Sequence, residues 1–110
     1  MVDLVFQPEW WEQVKDGRKR QTIRPYRNFI YRVGMKVRGI KHRFKPRSRD
    51  NVLFESRLTF AEPRYWHEVA FDEETARLDG FKNSGELREW FHKRYGDIPS
   101  KSRWWVLRWG

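Results

Sequence analysis

The stretch GRKRQTIRP, residues 17–25, sets Arg18, Lys19, Arg20 and Arg24 around an amide, a hydroxyl and a β-branched apolar residue, Gln21, Thr22 and Ile23. Such a run suits three roles: a solvated face, a grip on an anionic polymer, or a reaction centre. Guanidinium groups bind phosphate through paired hydrogen bonds of matched geometry. The residues that follow suit the grip, because Tyr26, Phe29 and Tyr31 lie among Arg24, Arg27 and Arg32. Rings stack on unpaired bases while arginines hold the phosphates. Tyr65 and Trp66, read as a loop after Pro63, offer two more rings. A locally packed aromatic loop is the alternative at both places.

The charge distribution favours an anionic partner. The 110-residue chain carries a formal net charge of +9. Residues 17–49 hold thirteen Lys and Arg and no acid, so that segment stands near +13 and the remainder near −4. A split of this size points to a polyanion such as nucleic acid. Other chemistries lack their residues. There is no cysteine, hence no disulfide and no thiolate metal site. His42, His67 and His92 are scattered without metal-ligand spacing. Neither a glycine-rich phosphate loop nor a serine elbow is present. No metal and no cofactor are therefore expected. No signal peptide or apolar run of membrane-spanning length is apparent, so a soluble cytoplasmic protein without a membrane partner is the expectation.

The elements that must position these residues fit one domain over residues 1–110. An aromatic content of 17% argues for a packed core despite 35% charged residues. Val2, Leu4 and Phe6 alternate as a strand does. EWWEQVKD, residues 9–16, reads as a short helix with Pro8 at its start and Gly17 as its stop. Met35 and Val37 begin a strand in which Gly39 breaks the alternation before Ile40, the mark of a β-bulge. RFKPRSRD, residues 43–50, is a basic loop. Val52, Phe54, Leu58 and Phe60 define one face of a strand that Pro63 ends. DEETARLDG (72–80) and NSGELREWFHKRYG (83–96) are helices, with Asp72 and Asn83 as N-caps and glycine stops. RWWVLRW closes the chain as a strand covered on both faces, Trp105, Leu107 and Trp109 on one and Trp104 and Val106 on the other. The sum is an α+β, mainly β fold: a small, partly open β-barrel with short helices packed around it.

The order of these pieces resembles the ASCH domain family, whose β-barrel is similar to that of PUA domains. GRKRQTIR resembles that family's G-[RK]-K-x-x-T-[IV]-R signature, and LDGF followed by EL resembles its acidic-Gly pair ahead of the last helix. VGMKV departs from the family's common Gly-Asp pair, with Met35 in place of the acid. The resemblance implies RNA binding in a cleft beside the signature. It also implies an alternative, since some small ASCH proteins are amidohydrolases that deacetylate N4-acetylcytidine with a Lys, a Thr and an acid; ribonuclease activity is attributed to others. Carried onto this chain, the catalytic positions are Lys19, Thr22 and Asp79, with Asp where those amidohydrolases have Glu. A threonine hydroxyl needs a base, and a lysine serves as one only if its pKa falls, which nearby arginines promote. In a regular strand, residues three apart face opposite ways. Lys19 and Thr22 therefore share a site only if the chain bends between them. In the non-catalytic alternative, Lys19 contacts phosphate and Thr22 hydrogen-bonds backbone.

The sequence thus predicts a nucleic-acid-binding protein, RNA for preference, with Arg18, Lys19, Arg20, Arg24, Tyr26, Arg27 and Trp66 as contacts and Arg43, Lys45 and Arg47 as an electrostatic arm. The alternatives are an enzyme acting on a modified nucleoside or on RNA, and a protein-interaction module with a basic face. The oligomeric state is open.

Overall fold

A computed structural model describes residues 1–110. The strands are β1 (Val2–Val5), β2 (Gln21–Pro25), β3 (Lys36–Ile40), β4 (Val52–Tyr65) and β5 (Arg103–Trp109). The helices are α1 (Trp11–Lys15), entered through a 3-10 turn at Pro8–Trp10, then α2 (Trp66–Ala70), α3 (Glu73–Leu78) and α4 (Ser84–Tyr95). They form an α+β domain around one five-stranded sheet of order β1-β3-β4-β5-β2, curled into a half-barrel. β1 runs parallel to β3, and every other pairing is antiparallel. No helix is long and apolar enough to cross a membrane.

β4 makes the curl possible. Its first half pairs with β3 and its second with β5. Register shifts mark both junctions. Opposite Gly39–Ile40, β4 inserts Leu53 between Val52 and Phe54; near the middle it inserts Thr59 between Leu58 and Phe60. Each extra residue bends the strand and adds twist. The bulge expected from Gly39 is present, but the surplus residue lies on the partner strand. Gly39 is there for space: a Cβ would come within 2.3 Å of the Phe54 ring, which stacks on Trp109. The predicted face of β4 changes accordingly. Leu53 and Leu58 are buried, while Val52, Phe54 and Phe60 are only partly so.

Two expectations about this region are overturned. β4 does not end at Pro63 but runs to Tyr65. Beyond Leu58 it pairs with β5 alone, so one edge has no strand neighbour, and an edge tolerates a residue without an N–H. Tyr65 and Trp66 are not in a loop either. Tyr65 ends β4, and Trp66 opens α2, buried against Phe91 and Trp104.

β5 separates two apolar cores, as its two-faced pattern predicts. Trp104 and Val106 pack with Ile23 of β2 and with Trp66, Leu87 and Phe91 of the helices. Trp105, Leu107 and Trp109 pack inside the curl with Leu4, Phe6, Val14 and Leu58. The helix caps also match. The Asp72 carboxylate accepts the Glu74 and Thr75 N–H groups, and Asn83 Oδ1 accepts the Glu86 N–H. Glu73 ties α3 to α4 by accepting the Ser84 hydroxyl and N–H, and these two bonds hold its carboxyl below the usual carboxylate range.

Candidate functional site

The half-barrel leaves a seam between its two edge strands, β1 and β2. No backbone ladder closes it. Instead the Arg24 guanidinium reaches from β2 to donate to the Val5 carbonyl of β1 at 2.7 Å, and its Nε donates to Thr22 Oγ1 at 3.1 Å. The guanidinium also lies 5.0 Å from the Phe6 ring centroid. Burial presses the Arg24 pKa down, and Arg43 pushes the same way against Asp79. Arginine nonetheless stays charged.

Behind the seam is an inner chamber of about 80 Å³ whose wall includes Lys19, Thr22, Arg24 and Asp79. The chain turns at residues 16–18, just ahead of Lys19, rather than between Lys19 and Thr22. Gly17, with φ +84°, ends α1 in a conformation that other residues rarely adopt, and the Lys19 N–H then donates back to the Gln13 carbonyl. β2 begins only at Gln21, so strand alternation does not apply to Lys19. Asp79 arrives from the C-terminal end of α3. Its carboxylate stands 3.1 Å from Lys19 Nζ, and its backbone carbonyl accepts from the same ammonium at 2.5 Å. The Trp10 ring lies 4.6 Å from that nitrogen. Lys19 and Asp79 are 2% and 3% exposed, so each neutralises a charge that water cannot reach. Burial drives the Lys19 pKa down; Asp79 opposes the fall and Arg24 adds to it.

Gln21 holds this pair in place. Its Nε2 donates to Asp79 Oδ1 at 3.1 Å and to the Thr75 carbonyl at 3.0 Å, and its Oε1 accepts from Arg108 Nε at 2.9 Å. All its hydrogen bonds fix α3 against β2 and β5. Sequence reasoning registered Gln21 only as an amide in a basic run and missed Arg108, because no spacing links residues 21, 79 and 108.

The chamber opens past Arg24 into an outer cavity of about 650 Å³, with Val5, Gln7, Arg24, Arg94 and Tyr95 common to both walls. Arg27, Arg43, Phe29, Tyr31 and Trp105 complete much of the outer wall. Arg27, Arg43 and Arg94 form no ion pair. The single carboxylate on this wall, Asp3, is engaged by Arg38 at 2.9 Å and Arg47 at 3.0 Å. Burial raises the Asp3 pKa, but the two guanidinium groups outweigh it and hold the carboxyl below its usual value. The rings are layered. Tyr26 stacks on Trp105 at 5.7 Å, the Arg103 guanidinium lies 4.7 Å from the Tyr26 centroid, and Tyr31 meets Trp105 edge-on. Arg94 and Tyr95, from the last turn of α4, were expected only as a basic helix end.

The remaining predicted contacts lie outside this cleft. Arg18 pairs with Asp16 on the surface, and Arg20 donates to the Gly17 carbonyl. Lys45 lines a separate hollow beside Trp11 and His42. Arg47 folds back onto Asp3, so only Arg43 of the expected arm lines the cleft. Trp66 is sealed in the core and has no open ring face for a base. Lys19 likewise turns inward to Asp79 rather than outward to a backbone phosphate. No family model, no curated protein and no solved structure matches this chain.

Proposed function

We propose that the half-barrel is of the PUA-like type, similar to ASCH domains, and that its seam binds nucleic acid, RNA for preference. One observation carries this reading: three unpaired guanidinium groups, those of Arg27, Arg43 and Arg94, share a cavity wall with Phe29, Tyr31, Tyr95 and Trp105. Cations without a carboxylate partner attract phosphate, and rings beside them offer stacking surfaces. Fluorescence anisotropy with mixed-sequence RNA and DNA 12-mers at low salt tests it. The expected result is binding that weakens linearly in log–log form as salt rises. Undetectable binding of both oligomers at low salt overturns it.

The convergence of Lys19, Thr22 and Asp79 on the inner chamber supports a second reading, hydrolysis of an acylated amine such as N4-acetylcytidine. In that reaction the Thr22 oxygen bonds to the acyl carbon while its proton passes to a neutral Lys19 amine. The C–N bond then breaks as the leaving nitrogen takes up a proton, and water hydrolyses the resulting ester. Burial favours the neutral amine that this step requires. Incubation with N4-acetylcytidine should release cytidine, and the near-isosteric Thr22→Val variant should not. Absence of turnover, or turnover unchanged in Thr22→Val, excludes this reading.

A further inference from the structure

The inner and outer cavities differ in kind, and the difference specifies a ligand more narrowly than nucleic acid. The inner chamber, about 80 Å³, is roughly half the ~150 Å³ of a cavity that takes up a single benzene ring. It admits a small polar substituent and not a whole ring. The outer cavity, about 650 Å³, falls within the range of sites for single small ligands. Its arginines outnumber its carboxylates four to one, and the one carboxylate is already neutralised.

We infer that the seam takes one unpaired nucleotide at a time, with its phosphate among Arg27, Arg43 and Arg94 and a small polar substituent of its base directed into the Lys19–Asp79 chamber. The ligand is thus a nucleoside phosphate, free or as one unit of a single strand, rather than a bare nucleoside. This rests on the nucleic-acid reading but separates from it by experiment. Calorimetric titration at low salt compares cytidine, cytidine 5′-monophosphate and the single-stranded tetranucleotide CCCC. The monophosphate is expected to bind at least roughly tenfold more tightly than cytidine, the contribution of one charge-assisted contact. In Arg27→Gln/Arg43→Gln that ratio should fall to within about twofold. Lys101→Gln removes an exposed charge that lines no part of the cleft and should leave the ratio as it is. Equal affinity for nucleoside and monophosphate overturns the inference, and so does an equal loss of the ratio in Lys101→Gln. If CCCC and the 12-mers bind while the monophosphate shows no advantage, nucleic-acid binding stands and the one-nucleotide site falls. If the monophosphate shows its advantage while no oligomer binds, the site stands as a free-nucleotide site and the nucleic-acid reading falls. If nothing binds, both fall.

Discussion

Two sets of cations meet at the seam and are treated in opposite ways. Lys19 is sealed from water, and Asp79, Trp10 and Gln21 surround it or its partner. Arg27, Arg43 and Arg94 stand at the mouth, exposed and without a carboxylate. The contrast follows from solvation. A buried charge costs several kcal/mol to desolvate and survives only beside a counter-charge with its hydrogen bonds satisfied. A charge at the mouth keeps its water and needs no partner until an anion arrives. The sealed cation shapes the protein, and the open ones leave their charge to the solvent.

The contrast breaks most severely at Lys19. Lys19→Ala leaves Asp79 buried and uncompensated and should cost about 3–5 kcal/mol in urea unfolding. Lys19→Met combined with Asp79→Asn should recover most of that loss, because neither charge then remains. Arg24 stands between the two sets, half-buried and part of both walls. Arg24→Lys keeps the charge but loses the fork to Thr22 and Val5, and should cost about 2 kcal/mol by the same measurement. Asp3→Asn releases Arg38 and Arg47 and should cost about 1 kcal/mol at neutral pH. Because the folded-state pKa of Asp3 is depressed, its contribution is present above about pH 4 and is lost as pH falls through the depressed value. The stability gap between Asp3→Asn and the parent should therefore close in acid. Arg27→Gln and Arg43→Gln should each change stability by less than about 0.5 kcal/mol. Each should still reduce the slope of log affinity against log salt by roughly one.

Legibility in the sequence follows the range of the interactions. The caps at Asp72 and Asn83, the stop at Gly17 and the two faces of β5 depend on neighbours a few residues apart, and all were readable. β4 was readable only in part. Its alternation is interrupted by Leu53 and Thr59, and whether a proline ends a strand depends on whether another strand lies beside it. α2 has five residues and lacks the Ser, Thr, Asp or Asn cap that marks a helix start. In the site, Lys19 and Thr22 stood out as residue types, yet their convergence depends on where β2 begins. The Lys19–Asp79 pair spans 60 positions, and no local pattern encodes it; only the family resemblance singled out Asp79. Arg94 and Tyr95 join the cleft because the end of α4 comes to lie at the seam, a fact of tertiary packing.

The open edge of β4 beyond Leu58 has a consequence for the molecule in a crowded solution. A bare strand edge is a template on which another chain can add a strand, and from there aggregates grow. Here that edge carries Pro63, exposed and without an N–H to offer, between Glu62 and Arg64. The residue that misleads a strand reading is thus also the one that makes the edge a poor template. Pro63→Val should leave the fold intact and make the protein more prone to self-association as its concentration rises.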